Sequence, residues 1–360
     1  TQVSTLGKGD ITCATAEFIA QEEMGRFSGY WVSDDEQWIA YQVTDESMVK
    51  EVDRYEIDAD KVTVKKQRYP EVGTANAKVK LAVVRVADVL KGNAPIQWVE
   101  LGLGEKGYLP RVQWTPQGKL AYQVQSRDQK TLELWRYNPE SKQSLKLLTE
   151  KDAHWVELQR HERYLPDGRF IWASEESGHN HLYLHDAMGK QLFALTSGEW
   201  AVDDLVGVDE ASNTAFFTAG LPTPLESHLF KVKMEKGANP EQVSSKQGFA
   251  LITMDKQAHF YVENFSSPTQ PPQVSLNTAE GVTVAQIWEN KIHKGHPFFD
   301  FSSDYIYPEY GSFKHKGEEL YYQVYKPKNF DAKKKYPLVV MGYGGPTAQV
   351  VSRAWRGKNG

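Results

Sequence analysis

A strand–turn–strand pattern recurs along most of this chain. "GYWVSDDEQWIAYQV" (Gly29 to Val43), "RVQWTPQGKLAYQVQ" (Arg111 to Gln125) and "RHERYLPDGRFIWAS" (Arg160 to Ser174) each set a turn rich in Asp, Pro or Gly between two runs where apolar and polar residues alternate. Alternation with period 2 marks a strand, and a short run of turn residues between two strands marks a hairpin. "DLVGVDEASNTAFFTA" and "FALITMDKQAHFYVEN" are weaker copies. In three places a second hairpin follows the first. "TLELWRYNPESKQSLKLLTE" predicts strands around Glu133 to Tyr137 and Leu145 to Leu148, and "HLYLHDAMGKQLFALTSG" around His181 to His185 and Gln191 to Leu195. "HLFKVKMEKGANPEQVSS" repeats the scheme less strongly. Four antiparallel strands recurring at roughly 45 to 50 residues are the pattern of a β-propeller blade. One such sheet cannot bury both faces alone, so blades must stack. The sequence predicts an all-β chain, a partial β-propeller with about five to six recognisable blades.

The spacing breaks between Glu46 and Pro110. Val49 to Arg68 alternates charges with β-formers and predicts an extra strand pair, before a β-rich run from Lys78 to Val86. The opening "TQVSTLGKGD" resembles the ends of later units, "KLLTEKD" and "ALTSGEW", which implies a blade entered at its last strand. After about Thr278 the pattern changes. A hairpin, "SFKHKGEELYYQVYKP", and a Pro/Lys-rich link lead into "YPLVVMGYGGP". The apolar run Leu338 to Met341 predicts a strand buried on both faces, as in an α/β sheet. The expected division is a propeller over 1–300 and the start of another domain over 301–360.

Composition narrows the function. The 360 residues carry a net charge of −5, and no Lys/Arg run exceeds Lys333 to Lys335. Nucleic acid and anionic membrane surfaces are therefore poor partners. The apolar runs are too short for a membrane-spanning helix, and the first ten residues lack the basic and apolar regions of a signal peptide. Cys13 is the single cysteine, so neither an internal disulfide nor a cysteine-built metal site is expected. His179, His181 and His185 share strand parity, but the outer two would stand about 20 Å apart, too far for one ion. A structural role is expected of them, with no metal and no cofactor. No G-x-S-x-G, P-loop or dinucleotide fingerprint occurs.

Two stretches carry candidate chemistry. "TAEFIAQEEMGRF" reads as a short helix stopped by Gly25. Its adjacent carboxylates, Glu22 and Glu23, either face solvent or, if aimed into a cavity, require a cation. A primary ammonium, with three donors and one positive charge, would satisfy both. "GYGGP" (Gly342 to Pro346) is either a tight turn or an oxyanion loop with the Tyr343 hydroxyl as a donor.

Four segments in order, "AEFIAQEEMGRFSGYWVSDDEQWIAY", "RYPEVGTANAKVKLAVV", "WASEESGHNHLYLHD" and "KPKNFDAKKKYPLVVMGYGGPTAQVV", closely resemble the dipeptidyl peptidase IV branch of the prolyl oligopeptidase family. The resemblance runs over nearly the whole chain. It implies an eight-bladed propeller capping an α/β-hydrolase domain, whose first strands would be residues 301–360. It implies that Glu22 and Glu23 hold a peptide's free α-ammonium, so that the bond after the second residue, favouring proline or alanine there, reaches a serine nucleophile. It implies that Arg26 steadies the pair or contacts substrate, and that Tyr343 is the oxyanion tyrosine. It further implies peptides with a free N-terminus as partners, a homodimer involving the Val49 to Arg68 arm, and a periplasmic or secreted setting. The family's Ser, Asp and His would follow Gly360, so this stretch is expected to be inactive alone. A non-enzymatic propeller that binds peptides or proteins is the alternative.

Overall fold

In the computed structural model, residues 2–92, 94–102, 107–158, 162–345 and 348–356 are described. The chain groups into two compact units, one of Thr1–Gln159, Tyr164–Phe170 and His185–Leu192, the other of Arg160–Arg163, Ile171–Leu184 and Phe193–Gly360.

The elements run β1 (Ile11–Cys13), α1 (Phe18–Glu22), β2 (Tyr30–Val32), β3 (Trp38–Asp45), β4 (Glu51–Ile57), β5 (Val62–Arg68), β6 (Lys78–Arg85), α2 (Val86–Leu90) and β7 (Gln97–Val99). In the first sheet β1 and β2 both pair with the same edge of β3, whose other edge pairs β6, which in turn pairs β7. The second sheet is β8 (Val112–Trp114), β9 (Leu120–Gln125), β10 (Thr131–Asn138) and β11 (Gln143–Lys151), paired in chain order. The third is β12 (Arg163–Tyr164), β13 (Phe170–Ser174), β14 (His181–His185) and β15 (Gln191–Ala194). The fourth is β16 (Val202–Asp209), β17 (Thr214–Ala219), β18 (His228–Lys233) and β19 (Glu241–Gln242). The fifth is β20 (Phe249–Met254), β21 (Phe260–Ser267), β22 (Gln270–Thr278) and β23 (Thr283–Trp288). Among the described residues there are thus five antiparallel sheets of four or five strands, besides two two-stranded ones, the all-β, partial-propeller architecture that the repeats predict.

Alternation places the core. On β3, Trp38 and Ala40 join Leu81 and Val83 of β6 in a cluster that also takes Leu120, Tyr122 and Val124 of β9. Tyr41 and Val43 point the other way, with Ala82 and Val84. β3 and β6 therefore each feed two cores, which is the demand of a stacked sheet. In the second unit Phe216, Leu229 and Tyr261 link the fourth and fifth sheets, and Trp200, Phe217 and Phe230 stack in a row at 6.0 and 5.7 Å.

β4 and β5 form a separate two-stranded ribbon with an exposed face. Helix α3 (Phe299–Ser302) and the hairpin β24 (Glu309–His315) and β25 (Glu318–Val324) follow the fifth sheet. The expectation of a buried strand at Leu338–Met341 fails. These residues form no strand, and their exposures run from 82% to 91%. A strand buried on both faces needs paired neighbours and covering layers, and no described segment supplies them.

Candidate functional site

Helix α1 interrupts an edge strand. β1 and β2 are two halves of one line of pairing along β3, and residues 14–29 leave the sheet between them. The neck of this excursion is tightly closed. Ala14 N–H bonds the Gln42 carbonyl at 2.9 Å, Gly29 N–H bonds the Ala14 carbonyl at 3.1 Å, and Gln42 N–H bonds the Gly29 carbonyl at 2.7 Å. At Gly29 a β-carbon would lie 2.7 Å from the Thr15 nitrogen, so only glycine permits the crossing at this distance.

Ala16, Ala20 and Met24 recur every fourth residue and are buried together against Tyr108 and Leu158. With 3.6 residues per turn, a position two beyond Ala20 lies about 200° round the helix, on the far side, and three beyond lies about 300° round. Glu22 is therefore turned outward and Glu23 sideways, and both are exposed. The helix ends there. Gly25 takes a left-handed φ of +60°, and Arg26 N–H reaches back to the Ala20 carbonyl at 2.9 Å. Two like charges thus sit side by side at the negative end of a helix, a placement worth about 0.3 to 1 kcal/mol against each. Neither carboxylate has a hydrogen-bond or ion-pair partner among the described residues.

Beneath the pair lies a polar frame. Arg26 is 9% exposed. One of its terminal nitrogens donates to Gln42 Oε1 and to the Leu109 carbonyl, both at 2.8 Å, and the other to the Ser28 carbonyl at 3.0 Å. Glu17 stands 3.6 Å away and accepts from Gln42 Nε2 at 2.6 Å. Burial pulls the Arg26 guanidinium below its ordinary value; Glu17 opposes that shift and Arg111 adds to it. Arg111 donates to the Met24 carbonyl at 2.8 Å, so a cation caps the helix terminus. The two terminal nitrogens of Arg26 are engaged in this frame, while its buried Nε has no hydrogen-bond partner. A small recess lies at the foot of the helix, lined in part by Glu17, Phe18, Glu46, Arg68 and Tyr108. Burial pushes the Glu46 carboxyl up, against Arg68.

The other candidates lie outside α1. Tyr343 belongs to the second unit and is 69% exposed. Its ring lies over Gly345, where a β-carbon would meet it at 2.5 Å. Pro346, the last residue of that motif, is outside the described residues. His181 is buried, with its ring nitrogens 3.0 Å from Thr196 Oγ1 and the Gly198 carbonyl, and His185 stacks on Phe170 at 5.0 Å. His179 is exposed. Among the described residues no group of three His, Cys, Asp or Glu side chains could hold a metal, and no helix is long and apolar enough to cross a membrane. Glu17, Gln42 and Arg111 escape a reading of the sequence. Arg111 reaches Met24 across 87 positions, and no local pattern signals such a contact.

Comparison with known proteins points in one direction. The model of a family described as the dipeptidyl peptidase IV (DPP IV) N-terminal region matches residues 1–272. Human dipeptidyl peptidase 8 is 27% identical over 433 residues, covering 96% of this chain and 47% of its own length. Dipeptidyl peptidase 4 of Trichophyton equinum is 26% identical, with coverages of 97% and 46%. The crystal structure of Porphyromonas gingivalis dipeptidyl peptidase 4 superimposes with a TM-score of 0.89 at 25% identity, covering 99% of this chain and 50% of that one. A putative dipeptidyl aminopeptidase IV from Bacteroides ovatus gives 0.81 at 26% identity. The chain spans about half the length of these relatives.

Proposed function

The chain belongs to the dipeptidyl peptidase IV N-terminal-region family, and from that membership we propose that it is the substrate-gating, N-terminus-anchoring part of a serine dipeptidyl aminopeptidase that releases Xaa-Pro and Xaa-Ala dipeptides. The observation that carries this reading is the exposed, unpartnered pair Glu22 and Glu23 on a helix braced from below. Stability alone disfavours two carboxylates at a helix C-terminus, whereas an incoming α-ammonium neutralises both and supplies a donor to each. Arg26 is the brace and Tyr343 the oxyanion donor of the assembled enzyme. Residues 1–300 are its propeller part and 301–360 the beginning of its hydrolase domain. No G-x-S-x-G lies within these 360 residues, so the nucleophile comes from outside them.

The ribbon β4–β5 is part of a dimer interface in the intact enzyme. Tyr55 pairs with Val64 and Ile57 with Val62, which sets four exposed apolar side chains on one face near its tip. The setting is periplasmic or secreted. The test of the anchor is a comparison of free-amine and N-acetylated dipeptide amides on the intact peptidase. Strong preference for the free amine is expected; equal kcat/KM for the two overturns the reading.

A further inference from the structure

The ribbon β4–β5 meets helix α1 at its root. Tyr69, the residue after β5, sets its ring edge-on against Phe18, the first residue of α1, with centroids 5.1 Å apart. The base of the ribbon fixes Tyr69 in place. Its N–H bonds the Lys50 carbonyl at 2.9 Å, and Lys50 pairs with Glu71. The neighbouring Arg68 donates to the Val49 carbonyl at 2.7 Å and to Asp10 Oδ1 at 3.1 Å. The small recess at this junction is lined by Glu17, Phe18 and Ile19 from the helix side and by Val49, Arg68 and Pro70 from the ribbon side.

Helix α1 cannot hold its own place. It is five residues long, and Glu17 at its N-cap makes no side-chain capping bond. A helix this short takes its order from packing. Ala16, Ala20 and Met24 pin one side of it. Phe18, two positions before Ala20, lies on the far side, where the Tyr69 ring meets it. Side chains four apart share a helix face. Glu22 therefore stands one turn above Phe18, and Glu23 one turn above Ile19, whose carbonyl accepts the Glu23 N–H at 2.9 Å. A roll of the helix about its pinned side moves both carboxylates, and the Tyr69 ring opposes that roll.

We propose that Tyr69 is a positioning residue for the anchor: its ring, held by the root of the ribbon, fixes the roll of α1 and so the direction of Glu22 and Glu23. The positional part rests on the reading of Glu22 and Glu23 as the ammonium anchor; the seating of α1 does not. A misplacement of about 1 Å costs as much as 100-fold in rate, so a small roll is enough to be read in kinetics.

Two measurements test it. In this chain, Tyr69→Ala should speed hydrogen exchange at the amides of Gln21 and Glu23 about tenfold, through loss of one aromatic pair. The amides of β10 in the second sheet should keep their protection. Tyr69→Phe, which keeps the ring, should restore the slow exchange. Tyr69 is 41% exposed, so its removal leaves the cores filled, and Phe18→Leu reads the same contact from the helix side. In the intact peptidase, Tyr69→Ala should lower kcat/KM about tenfold for a free-amine dipeptide amide and leave the N-acetylated one within about twofold, with Tyr69→Phe recovering the loss. A general loss of folding lowers both substrates alike, so their ratio isolates the anchor. Exchange at 21 and 23 within about twofold of wild type in Tyr69→Ala overturns the seating, and the proposal with it. Faster exchange with an unchanged ratio overturns the positional role. Glu22→Gln and Glu23→Gln, measured alongside, separate the two ideas: if neither changes the ratio, the anchor reading fails and takes the positional role with it, and the exchange rates alone decide whether Tyr69 seats α1.

Discussion

Glu22 and Glu23 owe their direction to three small or flexible residues on the opposite side of α1, and they have no partner among the described residues. A hydrogen bond to a charged group contributes about 1.5 to 3 kcal/mol. In the intact enzyme Glu22→Gln and Glu23→Gln should each lower kcat/KM for a free-amine dipeptide amide by about 10- to 150-fold. The same variants should lose little further on the N-acetylated substrate. A loss under twofold on the free amine removes that residue from the anchor. Asp203 gives a second residue-scale expectation. Burial, with Asp204 as the smaller cause, pushes its carboxyl up to about 6 from an ordinary 3.8. The folded state then holds this proton more tightly than the unfolded chain. Its contribution is complete below about pH 3.8 and is lost as the pH rises through about 6. Asp203→Asn should therefore be more stable than wild type above about pH 7, with the difference vanishing near pH 4, as urea titrations at the two pH values would show. Asp203 is exposed as a residue, so the gain is modest.

At the scale of elements, the excursion at residues 14–29 and the ribbon β4–β5 behave oppositely. The excursion is welded to β3 at Gln42 and passes close to the backbone at Gly29. Gly29→Ala forces the Thr15 backbone aside, at a cost of about 1 to 3 kcal/mol. Because the strain falls on the neck of α1, kcat/KM should drop further than the folded fraction explains; parallel thermal melts and kinetics would separate the two. The ribbon is anchored at its base by Arg68, whose guanidinium donates to Asp10 Oδ1 and to the Val49 carbonyl. Tyr69 N–H already bonds the Lys50 carbonyl at 2.9 Å, so the two ends meet without it. Removing residues 51–67 and keeping Arg68 should leave the melting temperature nearly unchanged and, on the proposed interface, convert the intact enzyme from dimer to monomer in sedimentation. An unchanged dimer refutes the interface. The ribbon was foreseeable from Val49 to Arg68 because alternating charges and β-formers are a local signal. The run Leu338–Met341 misled for the complementary reason: apolar content reports the wish to be buried, not whether partner strands are at hand.

For the molecule as a whole, the five sheets have their strands where hairpin repeats place them, and a far-UV spectrum dominated by strand should result. Residues 1–360 should not hydrolyse Xaa-Pro amides, since covalent catalysis needs a nucleophile and its base, and the chain has no nucleophile elbow. Turnover that persists through re-purification would refute this. The first sheet feeds cores on both faces and shares one of them with the second, so destabilisation there should spread to its neighbour rather than stay in one blade.

Alternation, turn residues and repeat length are properties of neighbouring positions, and they were enough to determine most of the strands and hairpins and the protruding ribbon; helix formers ending at Gly25 marked α1, but not that it interrupts an edge strand. The brace under that pair was decided only by tertiary structure. Arg26 meets the Leu109 carbonyl across 83 positions and Arg111 meets Met24 across 87. Bonds of that kind depend on how whole sheets stack, and an arginine destined for a buried frame has the same local sequence signature as one destined for solvent. The same holds for Glu226 and Arg353, 127 positions apart: charge is written in the sequence, but its partner is chosen by the fold, because only there does losing water make the pairing obligatory.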